Sequence, residues 1–322
     1  RGANGVIMIT TFKGVAGQKA TVSYNAFYGA KTLYNRYPMM TGDELYQMRH
    51  VAGIYIEDLG GGNSRPTMGA DEAEGVNTDW QDLMFDNGMV MSHDVGVSGG
   101  TATGSYNFGA GYYQDTSLLP GQEYRRINLR ANIDQAVGDY FRFGLTTNNN
   151  YNTNDGQNIG MYSTLATSPL INPYNEDGSL KRTVKSIDDE TWTMTRERME
   201  GLGDSYADNQ RGYGSYNSLY ADVKIPGVEG LSYRINLGLN LRGMNRGTYQ
   251  GTGIFSNARD AASTGSLEKS LTYQWVAENI VTYDKYFDKH HINFTGLYSE
   301  EQTHYDRSLV SALKIPSDHF QY

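Results

Sequence analysis

The chain has 322 residues, with 38% hydrophobic and 12% aromatic content, 26 tyrosines, 38 glycines and no cysteine. Lacking cysteine, it has no disulfides, thiolate metal centres or thiol nucleophiles, and a net charge of −9 with no basic stripe argues against nucleic acid as a partner. No apolar run reaches the roughly 18 residues a membrane helix needs, while a mean hydropathy of −0.58 is compatible with a membrane β-barrel, in which only alternate residues meet lipid.

In chain order, the first segment is Val6 to Phe12, an apolar run rich in β-branched residues and suited to a strand covered on both faces. Nine longer strands follow. The first, Ala20 to Lys31, sets Val22, Tyr24, Ala26 and Tyr28 against Thr21, Ser23 and Asn25. Then come Met91 to Ser98, Ser105 to Gln114, Tyr124 to Val137, Tyr140 to Asn150, Tyr213 to Ile225, Leu231 to Tyr249, Leu267 to Phe287 and His291 to Val310. The alternation is cleanest from Tyr233 to Arg242, where every odd residue is large and apolar and every even one is Arg, Asn or Gly. A period of two gives one oily and one wet face. Runs of about nine to eleven residues match a membrane-crossing strand better than the five or six usual in soluble sheets. Val276 and Ile280 fall on the wrong side of this register, which predicts either a bulge or a packing contact on the wet face.

The connections sort by length. Residues 99–104, 138–139, 227–230 and 288–290 are tight turns rich in Gly and Asp, whereas 35–90, 152–212 and 252–266 are long. Short turns on one rim and long loops on the other are the habit of outer-membrane barrels. Within the loops, Leu45, Met48 and Val51 at helical spacing predict a helix capped by Thr41 or Asp43, and Ser186 to Met199 predicts a second one rich in acids.

The amino-terminal run Arg1, Gly2, Ala3, Asn4, Gly5, Val6, Ile7, Met8 resembles the end of the plug domain in SusC/RagA-type TonB-dependent transporters. The resemblance continues in order through Asn77 to Asp82, His93 to Thr101, Ser168-Pro169-Leu170, Pro173 to Gly178, and Glu278-Asn279 with Thr282 to Asp284 and Phe287. It implies an all-β fold: residues 1–14 would end a plug, and 15–322 would form about nine strands of a transmembrane antiparallel up-and-down barrel. The family's barrel has about twenty-two strands, and single-chain bacterial barrels close with an even number. The sequence is therefore expected to be an internal piece of a longer protein.

By the same resemblance the whole protein would be a non-catalytic importer of oligosaccharides or similar large nutrients in the cell outer membrane of a Gram-negative bacterium. Its implied partners are a SusD-like surface lipoprotein, the TonB-ExbB-ExbD complex and outer-membrane lipid, with no cofactor. The alternatives are a siderophore or cobalamin receptor of the same architecture, and a soluble secreted β-sandwich that binds glycans.

Arg126, Asn128, Arg130, Asn132, Arg234, Asn236, Asn240 and Arg242 alternate with apolar residues and are expected to face the lumen. There they would hydrate the wall, contact a plug or bind a sugar. Trp192, in a long loop, is the candidate for stacking on a ligand; Trp80 suits a structural role, and Trp275, in a strand, suits a membrane-interface or lipid-facing position. Asp188, Asp189, Glu190, Glu197 and Glu200 are expected to be a solvated loop face, and His290-His291 is expected to bind no metal.

Overall fold

The structure, a computed structural model, describes residues 16–119, 121–156, 165–181, 183–187, 191–193, 203–252 and 262–321. In chain order the elements are β1 (Thr21–Lys31), α1 (Gly42–Ala52), β2 (Ile56–Gly60), β3 (Asn63–Pro66), α2 (Trp80–Met84), β4 (Gly88–Gly100), β5 (Gly104–Thr116) and β6 (Glu123–Val137). They continue with β7 (Phe141–Asp155), β8 (Thr183–Lys185), β9 (Thr191–Thr193), β10 (Tyr206–Lys224), β11 (Leu231–Gln250), β12 (Thr264–Phe287) and β13 (His290–Leu313).

All nine expected long strands form, and they pair into one antiparallel sheet in the order β1-β4-β5-β6-β7-β10-β11-β12-β13. Each strand lies beside its neighbour in the chain once the loop elements are set aside, which is up-and-down topology. The Val6 to Phe12 run and the Arg1 to Gly5 motif lie outside the described residues. Several strands outrun their alternating stretches: β10 starts at Tyr206, not Tyr213, and β4 spans Gly88–Gly100. The extra residues of β10 are mostly polar on both faces and those of β4 include Gly88, Gly99 and Gly100, so neither set carries a period-two signal. The upper end of β10 is held to β11 by an Arg246 fork onto Asp208, with both N–O distances 3.0 Å.

Register fixes the two faces, because residues directly opposite in an antiparallel pair point the same way. One row runs Ser98, Asn107, Asn132, Thr146, Ser218, Gly238, Val276 from β4 to β12. Along it each residue stands farther from its own hairpin turn, from Ser98 close to the 101–103 turn to Val276 far along its strand from Asp288. That progressive stagger is the shear of tilted barrel strands. The row also explains Val276. No register shift interrupts β11 against β12, and Val276 packs on Gly238, where an added Cβ would lie 2.6 Å from Val276 Cγ1. The misfit is packing on the polar face, not a bulge.

The apolar face has no second layer among the described residues: Leu129 and Leu239 are 53% and 52% exposed. This rules out the sandwich, whose sheets bury one face against each other. The face is banded. Phe141, Tyr233, Tyr283 and Phe294 lie toward the short-turn rim, whereas Tyr112, Tyr151, Tyr213, Tyr273 and Trp275 lie toward the long-loop rim. Between them stand Leu145, Leu219, Leu237, Ala110 and Leu129. Aromatic bands bounding an aliphatic belt are the pattern of a lipid-facing wall.

The long loops knit into a cap. Thr41 caps α1 through a full capping box with Glu44, and Gly53 ends the helix in the left-handed region at φ 64°. Asp79 caps α2. The helix expected over Ser186 to Met199 is corrected at its centre: Thr191–Thr193 is a strand paired with Thr183–Lys185. Two threonines flanking a tryptophan suit extended backbone. The remainder of that span beyond Ile187 lies outside the described residues.

Candidate functional site: the polar wall and the loop cap

The eight residues expected to face a lumen share one face of the sheet. Arg130 stands opposite Asn148, which stands opposite Tyr216 and then Asn240, so β6 and β11 present their polar residues to the same side. Arg126, Asn128 and Asn132 follow on β6 at intervals of two; Arg234, Asn236 and Arg242 do so on β11. Sequence reasoning missed part of this wall. Asn148, Asn150, Asn152 and Asn154 on β7 lie on the same face, opposite Arg130, Asn128, Arg126 and Tyr124. The run of three asparagines at 148–150 hid the alternation, because a polar residue at Asn149 breaks the apolar series.

Near the short-turn rim this face is cross-linked by charge. Arg142 Nε donates to Asp134 Oδ1 at 2.7 Å, and the Tyr220 hydroxyl donates to the same carboxylate. The Arg234 guanidinium lies over the Tyr220 ring at 4.1 Å and donates to Asn236 at 2.9 Å, and Asn236 donates to Glu278 at 3.0 Å. Tyr220 can lie flat only because Gly144 is opposite: a Cβ there would be 2.2 Å from the ring. Arg130 uses Gly109 in the same way, with 2.4 Å from a hypothetical Cβ to Nε. Beside Arg130 the wall is recessed over about 440 Å³, lined by Ser23, Ser98, Asn107, Asn132, Thr146 and Asn148 among others.

The loop cap is a second candidate, which periodicity did not reveal. Two sequence elements noted for their family resemblance, Asn77 to Asp82 and Ser168 to Gly178, meet in space. Trp80 Nε1 donates to the Ser168 carbonyl at 3.0 Å, Thr78 N to Pro169 O at 2.9 Å, and Thr78 Oγ1 to Ile171 O at 2.6 Å. Trp80, Ile171 and Val184 form a small core joined by Leu83 and Leu180. Trp80 is thus structural, as expected.

Arg49 forks onto Glu72 at 2.8 and 2.9 Å, with both side chains buried. Burial pushes the Glu72 carboxyl up, but hydrogen bonds from Arg49, the Gly69 amide and Ser168 outweigh it and hold the pKa below the usual value. Beside this pair a cavity of about 670 Å³ opens between α1, Trp80 and Pro169, with Tyr37, Met39, Met40 and Met48 in its lining. Trp192 pairs with Val184 through the backbone, while the placement of its indole and the Asp188, Asp189, Glu190, Glu197 and Glu200 cluster lie outside what the structure describes. His291 is engaged by Asp284 at 2.9 Å and stacks on Tyr286.

Nine tilted antiparallel strands with a belted apolar face, a polar opposite face and a structured cap on one rim define one wall of a large β-barrel. No protein-family model matches the chain. Among curated proteins, TonB-dependent receptor P3 of Formosa agariphila is 25% identical over 333 residues, which take in 100% of this chain and 31% of that protein. TonB-dependent receptor SusC of Bacteroides thetaiotaomicron is 32% identical over 146 residues, 45% of this chain and 13% of that protein. The solved structure of the RagAB peptide importer in its closed-closed state superposes with a TM-score of 0.77 at 17% identity, covering 100% of this chain and 39% of that one. Along its whole length the chain is similar to a stretch of SusC/RagA-type TonB-dependent receptors, and it shares the barrel fold of the RagAB importer. It spans about a third of the length of the relatives it matches from end to end, 31% of P3 and 30% of receptor P39 of the same organism.

Proposed function

We propose that the whole protein imports oligosaccharides or similar large nutrients across the outer membrane, energised through TonB. The observation that carries this is the two-faced wall: a sheet whose one side has a lipid-type belt and whose other side is asparagine, arginine and glycine. In this reading residues 1–14 end a plug and 15–322 are part of the barrel. Arg126, Asn128, Arg130, Asn132, Arg234, Asn236, Asn240 and Arg242 line the lumen. The loop cap forms the outward rim, where a SusD-like lipoprotein and Trp192 help capture ligand, and the TonB-ExbB-ExbD complex works on the plug from the opposite side. The chemistry is binding, closure and gated passage, with no covalent step and no cofactor.

Peptides are the second reading, because the solved neighbours are described as a peptide importer. The test is growth of a deletion strain and of a TonB-deficient strain on single glycans, on peptides, and under iron or cobalamin limitation. The proposal expects both strains to fail on the same glycan. Loss confined to peptides favours the second reading, and loss confined to iron or cobalamin limitation returns the chain to the siderophore or cobalamin class.

A further inference from the structure

Most arginines on the polar face are already committed. Arg142 is held by Asp134, Arg234 by Asn236 beside Asp222, Arg246 by Asp208, and Arg307 by Glu268. Arg126 lies over the Tyr113 ring at 5.5 Å. Arg130 and Arg242 differ: among the described residues neither guanidinium has a carboxylate or ring partner, and of the two it is Arg130 that lies along Gly109 at the edge of the 440 Å³ recess. The recess is built from neutral hydrogen-bonding groups. Ser23 and Ser98 lie on one side, Thr146 and Asn148 on the other, and Asn132 contributes a buried side-chain oxygen that has no hydrogen-bond partner in the structure. Gly96 and Gly109, opposite each other on β4 and β5, remove the side chains that would fill the floor.

We propose that this recess is a subsite for an acidic oligosaccharide, with Arg130 receiving the carboxylate of a uronate-type sugar. Three features select that ligand. An unengaged guanidinium fork matches a carboxylate in shape and charge. The surrounding amides and hydroxyls both donate and accept, which suits a ligand covered in hydroxyls and offers little to aliphatic side chains. Tyr216 stands opposite Asn148, a lining residue, and so places an aromatic residue on the neighbouring strand. The inference rests on the transporter reading in one respect only: the ligand must have access to the polar face.

The test is equilibrium binding to the full-length receptor in detergent, using galacturonate, alginate and hyaluronate oligomers and the same oligomers after carboxyl reduction. At least one acidic oligomer is expected to bind, and to lose about ten- to a hundredfold in affinity on carboxyl reduction or on Arg130→Gln. Arg130→Lys should restore part of the loss, because charge returns without the fork. Equal binding of acidic and reduced oligomers, no binding by any acidic oligomer, or unchanged affinity in Arg130→Gln overturns the proposal.

So does a lower melting temperature in Arg130→Gln with the acidic preference intact, since the guanidinium then serves a carboxylate of the protein itself. Binding is read without TonB, so a negative here leaves the import proposal to its own growth test.

Discussion

Four side chains on the apolar face show how single residues reconcile a polar sequence with an oily surface. Thr147 Oγ1 donates to Asn217 Oδ1 at 2.6 Å, Asn217 Nδ2 to Ser215 Oγ at 2.8 Å, Ser215 Oγ to Asn149 Oδ1 at 2.6 Å, and Asn149 Nδ2 back to Thr147 Oγ1 at 2.8 Å. The ring closes on itself, one row below Tyr151 and Tyr213 and between Leu129 and Leu241. A polar group in hydrocarbon is costly only while it lacks a partner. Asn217→Leu should therefore cost about 1–3 kcal/mol by orphaning its neighbours. Replacing all four residues with apolar ones of similar size should cost less than that single change. Denaturant unfolding of the full-length receptor in bilayers checks this, and losses that simply add would contradict it. None of this was legible beforehand: Asn149 and Asn217 look like interruptions in a linear sequence, and only cross-strand pairing shows that they are complementary.

At the scale of the element, the loop cap depends on a buried ion pair. Removing one partner of such a pair costs about 3–5 kcal/mol, because the survivor stays buried without compensation. Glu72→Gln should accordingly open the cap, seen as faster amide exchange across α1 and residues 168–173 while the strands are unaffected. The sign with pH follows from the lowered pKa of Glu72. The stabilisation is complete above the unfolded carboxyl value, about 4.3, and is lost as pH falls through the folded value below it. Exchange in the cap should thus rise in acid before the sheet responds. The helix α1 was legible from its spacing and its Thr41 cap, whereas β8 and β9 were not. A three-residue ladder is too short to show a period, and the acids around it suggested a helix.

For the molecule as a whole, the decisive test is which face meets lipid. Leu237→Arg should lower stability by about 2–4 kcal/mol if the belt lies in hydrocarbon, whereas Asn240→Arg on the opposite face should be nearly silent. Folded, heat-modifiable protein recovered from membranes reports both, and equal tolerance of the two would remove the membrane reading. Strand number, pairing order and face assignment were legible because period-two alternation survives in most strands and the turns announce themselves with Gly and Asp. The cap's internal docking and the recess at Arg130 were not, since both depend on contacts between segments distant in sequence. The hydrogen-bonded ring has a further consequence. Its members come in pairs from β7 and β10, strands joined by the long connection of residues 156–205 where the short-rim hairpins have tight turns. A slip of one residue between those strands would turn one of them over, swing Asn148 or Tyr216 to the apolar face and dismantle all four bonds together. The quartet therefore works as a vernier, holding in alignment two neighbouring strands that the chain joins only through a long connection.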